Sequence, residues 1–464
     1  MSQQSQAATY NGLFKKVYGK FNNLRVPGMK LLDFIPFEGS AGDGESYIEG
    51  MALTDESGHT WTGSGLALAN INPANAGVVE QAEYKSYEYL LTSVIPWKVM
   101  SRSEGNEKAF KSATKYLVSN NLESHARTLQ DVVLYGQDTD HGLFGHTSYT
   151  TATYRGVALT AGSGTINSIA FTNGVNAAGR HVLFNLGEFA SGLFVGREGT
   201  VFVEIERSSG SVVYESRLKS VDVENGYVTF EDGTPVAASS LTSHYWAIKG
   251  MEDTTKLMPG IIKIISTQSG QLFGIETSKY SRYRGIVVDG GGPNSGVKLT
   301  FGRILDGIAY AANKGLGTPT QVEQMVFMNN LAWANVLDDQ MAYRRYDSSY
   351  KISSLDVGAN MITFHSQIGI TKLVPCSIIK EGEAIGLCKP MNAAGASENV
   401  PNRHWYRGGS SEMSFKVPGA DGQLIKLLDN QTGYKYTSRS DQFVACRVPG
   451  YQIYWTGFNW ESNT

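Results

Sequence analysis

The sequence has few cysteines and lacks the motifs of common catalytic sites. Its three cysteines are Cys376, Cys388 and Cys446, and no CxxC pair occurs among them. This spacing argues against a disulfide framework and a structural zinc site, and it fits a reducing cytosol. A GxxxxGK[ST] phosphate loop, a GxSxG elbow, an HExxH pair and a DxDxDG loop are all missing. We therefore expect no catalytic residues, no metal and no cofactor.

Long apolar runs and a strong net charge are missing as well. No run of 18 apolar residues occurs, and the first residues contain no apolar core of the signal-peptide type, so we expect no contact with a membrane. The net charge of -3 gives no global reason to expect a nucleic-acid partner. The chain has 464 residues, of which 41% are hydrophobic, and this predicts two to four folded units.

Charge is distributed unevenly near the start of the chain. Residues 1–30 contain no acid, and their basic residues are Lys15, Lys16, Lys20, Arg25 and Lys30. From Leu31 to Tyr84 there is no Lys or Arg, and the acidic residues include Glu38, Asp43, Glu45, Glu49, Asp55, Glu56, Glu80 and Glu83. This second stretch is rich in glycine and ends in alternating aromatic and polar residues, which predicts a long projecting two-stranded loop. Because an isolated hairpin is not stable in water, we expect it to need a partner surface, and a basic one.

The pattern between Asn106 and Tyr135 predicts a helix. Its apolar stripe, at spacings of three and four, consists of Phe110, Leu117, Val118, Leu122, Ala126, Leu129 and Val133. We expect Gly136 to end the helix in a left-handed conformation. The narrow stripe predicts that one face is covered and that the other meets solvent or another subunit, with His125 at the flank of the helix.

Residues 155–255 predict a separate β-rich module. The segment "TVFVEIE" alternates between apolar and polar residues, and Asn225-Gly226 in "VDVENGYVTF" is a strong signal for a hairpin turn. The neighbouring stretches are less rich in strand signals. We therefore interpret this module as an insertion.

Residues 296–345 predict a helix, a buried strand and a second helix. Thr300 is placed to cap the first helix, "QMVFMN" is the strand, and Asn329 or Asn330 caps the second helix. The following stretch "GITKLVPCSIIKEGEAIGLCKPM" predicts two apolar strands separated by a turn, and the chain ends in aromatic, strand-like sequence.

In their order along the chain, these parts resemble the major capsid proteins of tailed bacteriophages, which have the Hong Kong 97-type shell fold. The resemblance is carried by the basic arm, the acidic loop and the helix ending in "LYGQDTDHGLFG". It is carried further by "LFGIETSKYSRYRGIVVDGGGPN" and by "LTFGRILDGIAYAANKGLGTPTQVEQMVFMNNLAWANVL". It covers residues 100–150 and 260–390 well, and residues beyond 400 weakly.

The resemblance implies an α+β fold with a β-rich insertion domain on the outer surface. The implied parts are an N-terminal arm (1–38), an extended loop (39–95), a peripheral domain with a long spine helix (96–154), the insertion (155–255), an axial domain (256–400) and a return to the peripheral domain (401–464). Because the arm and the loop occupy all the chain before the spine, we expect a separate scaffolding protein or none.

The implied function is self-assembly, through hexamers and pentamers, into an icosahedral shell around the phage DNA. We predict that the loop acids Glu38, Asp43, Glu45, Glu49, Asp55 and Glu56 dock on a neighbour's spine region at Lys98, Arg102, Lys108, Lys111 and Lys115. The basic residues of the arm would face the packaged double-stranded DNA without sequence specificity, or else pair with the acidic loops. A covalent crosslink from a loop lysine is not expected, because residues 31–84 contain no lysine and Lys85 is the only nearby candidate.

Other expected partners are a portal protein and a decoration protein, and the expected location is the virion, assembled in the cytoplasm of a bacterial host. One alternative is an encapsulin-like cellular nanocompartment shell, which has the same fold. A second alternative is a secreted β-rich hydrolase or adhesin, suggested by the Gly, Tyr and Trp content. The missing signal peptide and the unpaired cysteines weigh against the second alternative.

Overall fold

The longest element of the protein, in this computed structural model, is a helix of 29 residues, Glu107–Tyr135. The structure describes residues 30–39, 46–64, 70–74, 76–96, 107–138, 142–147, 153–154, 157–158, 165–166, 180–183, 189–224, 227–231, 236–237, 244–292, 297–314, 322–346, 362–390, 404–415, 426–427 and 433–459. Within them, no helix is both long enough and apolar enough to span a bilayer.

Helices and strands alternate along the described chain. The helices are α1 (Lys30–Phe34), α2 (Glu107–Tyr135), α3 (Ser191–Phe194), α4 (Ile261–Ser266), α5 (Phe301–Asn313) and α6 (Asn330–Tyr346). The strands are β1 (Phe37–Glu38), β2 (Ser46–Ala52), β3 (Val79–Lys85), β4 (Tyr87–Pro96), β5 (His146–Thr147), β6 (Thr153–Tyr154), β7 (Val157–Ala158), β8 (Thr165–Ile166), β9 (Arg180–Leu183), β10 (Val201–Glu206), β11 (Val212–Asp222), β12 (Tyr227–Phe230), β13 (Val236–Ala237), β14 (His244–Ile248), β15 (Gln271–Leu272), β16 (Ile275–Glu276), β17 (Ile286–Asp289), β18 (Val322–Met328), β19 (Ile362–Ser366), β20 (Gly369–Pro375), β21 (Ala384–Pro390), β22 (Trp405–Phe415), β23 (Lys426–Leu427), β24 (Gly433–Cys446) and β25 (Ile453–Thr456).

The chain divides into two units. The first contains Met1–Ala41, Ser86–Gly260 and Arg407–Phe443, and the second contains Gly42–Lys85, Ile261–Tyr406 and Val444–Thr464. This division differs from the predicted domain boundaries in two places. The extended loop belongs to the same unit as the predicted axial domain, and the chain after residue 443 does not stay with the spine helix. The reason for the second difference is strand pairing, because β25 lies between β17 and β21 in the sheet of the second unit.

In the first unit, α2 packs against β4. Strand β4 pairs with β24 in antiparallel register, from Tyr87 opposite Gln442 to Pro96 opposite Gly433. A second sheet, in the order β5-β14-β10-β11-β12-β9, takes all its strands except β5 from the predicted insertion. The predicted strand "TVFVEIE" is β10, and the predicted hairpin joins β11 to β12, with Asp222 opposite Tyr227. Its turn residues Asn225 and Gly226 lie outside the described residues.

Aromatic side chains form the core of this second sheet. Trp246 stacks on Phe230 with ring centroids 4.7 Å apart, and Phe202 packs edge to face with Phe144 at 5.2 Å. Aromatic pairs in these arrangements contribute about 0.5–1.5 kcal/mol beyond the area that they bury. The inserted sheet therefore has a hydrophobic core of its own.

The second unit contains a six-stranded mixed sheet in the order β17-β25-β21-β18-β20-β19. Its central strand β18 is the predicted "QMVFMN" strand, and the two predicted apolar strands are β20, parallel to β18, and β21, antiparallel to it. The predicted helices are confirmed as α5 and α6. Thr300 caps α5 by accepting a hydrogen bond from the Arg303 amide, and Asn329 accepts one from the Leu331 amide at the start of α6.

The predicted long helix is confirmed as α2, but the prediction of one exposed face is wrong at its C-terminal end. All residues from Thr128 to Gly136 are buried. The helix is covered there from two directions, because β4 packs along it and residues of the inserted module contact it. Arg127, for example, donates hydrogen bonds to the carbonyls of Gly192 and Val195, each over 2.6 Å.

The predicted role of Gly136 also needs correction. The left-handed residue is Gln137, with φ of 57°, while Gly136 has no positive φ. Glycine is required at 136 because the chain passes very close to it. A Cβ atom at this position would lie 2.1 Å from the carbonyl oxygen of Met258 and 2.6 Å from that of Val132. The Gly260 amide donates to the Gly136 carbonyl at 2.7 Å, so both backbones are held in contact.

Replacing Gly136 with alanine is expected to destabilise the first unit by about 2 kcal/mol or more, since an added methyl group must displace a backbone carbonyl. Urea unfolding of the full chain measures this loss. The matched control is Gly50→Ala in β2, where an added Cβ meets nothing within 4 Å. We expect the control to change stability by less than about 0.5 kcal/mol. Equal stability of the two variants would contradict the close-approach explanation.

Candidate interaction surfaces

The predicted two-stranded loop is confirmed as an antiparallel hairpin of β2 and β3, in register from Ser46 opposite Lys85 to Ala52 opposite Val79. Its root is buried in the second unit. Tyr84 is inaccessible to solvent, and its ring centroid lies 4.6 Å from that of Phe273 and 6.4 Å from that of Tyr406. Burial raises the pKa of the Tyr84 hydroxyl far above its usual value. The root is therefore held by Ala82 and Tyr84 of β3, two buried side chains that alternate with exposed ones.

A carboxylate at the root is held by two side chains that are distant in sequence. Glu49 Oε1 accepts a hydrogen bond from Nε of Arg447 at 2.6 Å, and its Oε2 accepts one from the Tyr406 hydroxyl at 3.2 Å. The Arg447 guanidinium lies 4.3 Å from the centre of the Tyr406 ring. Both members of the ion pair are mostly buried, so this contact fixes the direction of β2 more strongly than an exposed pair would.

Two further acidic residues of the loop bind the same unit. Glu80 accepts a hydrogen bond from the Tyr280 hydroxyl at 2.6 Å. Asp55 accepts two hydrogen bonds from Arg282, each at 2.8 Å, and these bonds hold the pKa of Asp55 below its usual value. Glu49, Asp55 and Glu80 therefore have partners within their own chain. The sequence carries no local signal for this pairing, because Arg282 and Arg447 lie more than 200 residues away from the acids they bind.

The other predicted docking residues are only partly described. Glu56 is exposed on the hairpin, and Glu38 is half-buried in β1 of the first unit. Lys108, Lys111 and Lys115 lie on α2, and Lys30 lies on α1, but their side chains are outside the described part. The remaining residues of the two predicted surfaces, Asp43, Glu45, Lys98, Arg102, Lys15, Lys16, Lys20 and Arg25, lie outside the described residues. Docking of the loop on a neighbour's spine lysines stays a prediction.

The tip of the hairpin has the opposite character to its root. Trp61 is 94% exposed and Ile71 is 83% exposed. The two limbs that carry them are tied together, since Asn72 donates from its backbone amide to Thr60 Oγ1 and from its side chain to the His59 carbonyl, each at 2.9 Å. An ordered tip that exposes large apolar side chains is typical of a surface that binds a partner.

In the first unit, buried polar side chains lie along α2. His125 is completely buried, where the sequence predicted a flank position. Its Nδ1 is 2.9 Å from Ser438 Oγ, and its ring centroid is 4.4 Å from that of Tyr89. Burial lowers the pKa of His125 to about 4. The helical pattern of the sequence did not predict that His125 is buried, because its partner Ser438 comes from β24, which is distant in sequence.

Nearly two turns further along α2, Asp131 forms a buried ion pair with Arg197. The Arg197 guanidinium also lies 5.1 Å from the centre of the Phe144 ring. Burial raises the pKa of Asp131 to about 6, and the charges of Arg197 and Arg127 oppose that shift. Since Arg197 comes from the inserted module, this pair joins the module to the spine helix.

Beside this ion pair lies a cavity of about 600 Å³, lined only by residues of the first unit. Its wall includes Tyr89 and Leu129 on one side and Met251, Leu257 and Met258 on another. Among the described residues, no group of three or more His, Cys, Asp and Glu side chains is placed to hold a metal ion.

Replacing Arg447 with methionine is expected to loosen the hairpin root, because the mostly buried Glu49 carboxylate loses its charged partner. Such a loss costs about 1–3 kcal/mol. Hydrogen exchange measured by mass spectrometry should show amides of Ser46–Ala52 exchanging roughly tenfold faster. The control is Lys85→Met, which removes an exposed ion pair with Glu83 at 3.8 Å and should leave exchange almost unchanged. Unchanged exchange in Arg447→Met would show that the contact does not hold the hairpin.

His125 is expected to make the first unit less stable in acid. Between about pH 6.5 and pH 4 the unfolded chain takes up a proton at His125 that the folded chain excludes, so stability falls as pH falls, by at most about 1.4 kcal/mol per pH unit. The contribution of Asp131 to the pH dependence of stability has the opposite sign. Because its pKa is raised to about 6 in the folded protein, the folded chain holds a proton there that the unfolded chain releases, and this adds stability as pH falls from about 6 toward 4. Urea unfolding at several pH values should show a shallower acid decline in His125→Gln than in the control His59→Gln, which changes an exposed tip residue. Parallel profiles would contradict this assignment.

No family model matches this chain, and no curated protein matches it in sequence. In structure it is similar to a chain of the cyanophage A-1(L) capsid asymmetric unit, with 9% identity, a TM-score of 0.48 and coverage of 96% of both chains. It is also similar to a chain of the native GTA particle capsid, with 8% identity, a TM-score of 0.43 and coverage of 99% and 100%. A third similar structure is the capsid of Myoviridae phage XM1, with 7% identity, a TM-score of 0.41 and 99% of both chains covered.

These likenesses concern the fold alone. The described residues contain a long helix, an extended hairpin, a mixed sheet flanked by helices and a second, β-rich sheet. The chain is an α+β protein, as its sequence predicted.

Proposed function

We propose that this chain is a major capsid protein, which assembles through hexamers and pentamers into an icosahedral shell around phage DNA. The observation that carries the proposal is the contrast within the extended hairpin. Its root is fastened to its own unit, while Trp61 and Ile71 on the two limbs near its tip are 94% and 83% exposed. Large apolar side chains exposed together on limbs that are tied to each other suit a surface that another subunit covers.

The hairpin is suited to repeated contacts in a symmetric assembly. The bonds of Glu49, Asp55 and Glu80 fix its root, and those of Asn72 fix its tip, so little conformational freedom is lost on binding. In a closed shell each copy both offers a tip and receives one. Modest contacts are then multiplied by symmetry.

Electrostatic attraction would orient the contact rather than provide most of its strength. This proposal places the loop acids Asp43, Glu45 and Glu56 opposite Lys98, Arg102, Lys108, Lys111 and Lys115 of a neighbour. Exposed pairs contribute about 0–1 kcal/mol each. Their role in this proposal is to select the register between subunits.

The other parts of the proposed shell follow the sequence assignment except after residue 443. Residues 1–38 form the arm that faces packaged DNA, 39–95 the extended loop, 96–154 and 401–443 the peripheral domain, 155–255 the outer insertion, and 256–400, together with the chain after 443, the axial domain around the five- and six-fold axes. The proposed partners are a portal protein, a separate scaffolding protein and a decoration protein, and the proposed site of assembly is the cytoplasm of the bacterial host.

The test is assembly of the full chain after expression. We expect closed particles by size-exclusion chromatography and negative-stain electron microscopy. Trp61→Ser should abolish particles or reduce their yield at least tenfold while leaving the circular dichroism of the subunit unchanged, because the indole contributes to no core. The control is Val213→Ser, which removes an exposed apolar side chain of β11 and should assemble normally. A wild-type chain that remains a monomer would refute the proposed function.

A further inference from the structure

Two cationic side chains of the second unit lie together at the C-terminal end of α5. Lys314 follows the last residue of the helix, and its Nζ donates hydrogen bonds to the carbonyl of Arg284 at 2.5 Å and to that of Gly285 at 3.4 Å. Arg284 and Lys314 are both half-buried. We infer that these two residues form a binding site for a phosphate group, which goes beyond the proposed function.

The backbone that carries Arg284 is held from two sides. The Gly285 carbonyl accepts a hydrogen bond from Nε2 of Gln268, just after α4, at 3.2 Å, in addition to the one from Lys314. A Cβ atom at Gly285 would lie 2.3 Å from the carbonyl oxygen of Ile265, so this turn lies directly against α4. The backbone between the two cations is thus fixed before a ligand arrives, and less conformational freedom is lost on binding.

The two cations lack an acidic partner within the part of the chain that the structure describes. Arg282, only two residues before Arg284, binds Asp55, but neither Arg284 nor Lys314 forms an ion pair with a described carboxylate. Residues 261–314 contain seven Lys and Arg and only three Asp and Glu. Two of these acids, Glu276 and Asp289, accept hydrogen bonds from nearby backbone amides instead. We therefore expect the counterion of the pair to come from outside the chain.

The acid–base behaviour of Lys314 shows the effect of this arrangement. Burial, and then the positive charge of Arg284, lower the pKa of Lys314 to about 8. An anion placed between the two cations would be attracted by both and would raise the pKa of Lys314 again. The site is therefore electrostatically more favourable when an anion occupies it.

The hydrogen-bond donors fit phosphate better than a carboxylate. The guanidinium of Arg284 is a planar fork that can bind two oxygens of one anion. The Lys314 ammonium has a further N–H beyond those that bond the carbonyls of Arg284 and Gly285. A carboxylate would use both its oxygens on the guanidinium, whereas phosphate has another oxygen for the ammonium. Inorganic phosphate and the backbone of DNA both offer this chemistry.

The experiment measures how fast acetic anhydride acetylates Lys314 in the full chain, by peptide mass spectrometry. Near pH 8 about half of this amine is deprotonated, and a rise of about one unit in its pKa leaves about a tenth of it reactive. We therefore expect inorganic phosphate to slow the acetylation of Lys314 about fivefold, relative to chloride at equal ionic strength. Lys249, which is exposed and paired with Glu215, is the control in the same digest, and its rate should not change.

Arg284→Gln should abolish this protection by phosphate. It should also slow the acetylation of Lys314 in chloride, because loss of the neighbouring cation raises the pKa of the amine. The matched control is Arg303→Gln, which changes an exposed arginine of α5 and should keep the protection.

Duplex DNA in phosphate-free buffer is the second probe and separates the two sources of phosphate. Protection of Lys314 by DNA, with or without protection by inorganic phosphate, assigns the site to the backbone of a nucleic acid. Protection by inorganic phosphate alone assigns it to a free phosphate. No protection by either probe, or equal protection in Arg284→Gln and the wild-type chain, would overturn the inference. Because the measurement needs no assembled particles, its outcome is separate from that of the proposed function.

Discussion

The fastening of Glu49 by Arg447 and Tyr406 is the constraint on which the rest of the interaction surface depends. A two-stranded hairpin has too few contacts to be stable in water by itself. Here the root of β2 and β3 is stabilised by a mostly buried ion pair and by the aromatic cluster around Tyr84, while the tip contributes nothing to any core. The same hairpin is therefore rigid where it leaves the second unit and available for binding where it ends.

The spine helix has a comparable division along its length. From Thr128 onward it is surrounded. Two of its buried polar side chains have specific neighbours, Ser438 for His125 and Arg197 for Asp131. Burying an ion pair stabilises a fold only weakly, but removing one partner of such a pair is costly. These contacts thus specify how the inserted module and β24 are placed on the helix more than they increase stability. The close approach of Gly136 to Gly260 fixes where the chain leaves the helix.

The inserted module supplies part of the wall of the cavity beside α2 in the first unit. Arg197 from this module and Leu129 from the helix line the same space, and the segment that follows β14 closes it with Met251 and Met258. The cavity therefore exists only when the module is folded against the helix.

Local sequence patterns determined the elements of this protein. The helix from 107 to 135, strand β10, the β11–β12 hairpin, the pair of helices around β18 and the strands β20 and β21 all follow from periodicity, caps and turn residues, since those signals act over a few neighbouring positions. The contrast between a basic arm and an acidic loop is equally a property of the sequence. Only the tertiary structure decided which partners those elements meet. From the sequence alone, Glu49 and Asp55 were predicted to dock on a neighbour, and His125 was predicted at the helix flank. In the folded chain, Arg447 binds Glu49 and Arg282 binds Asp55, and Ser438 of β24 contacts the buried His125. Gly136 looks like a left-handed stop until the backbone at Met258 is seen against it, and the last strand joins the sheet of the second unit by pairing with β17 and β21. Each of these outcomes depends on contacts between residues that are distant in sequence, for which a local pattern carries no information.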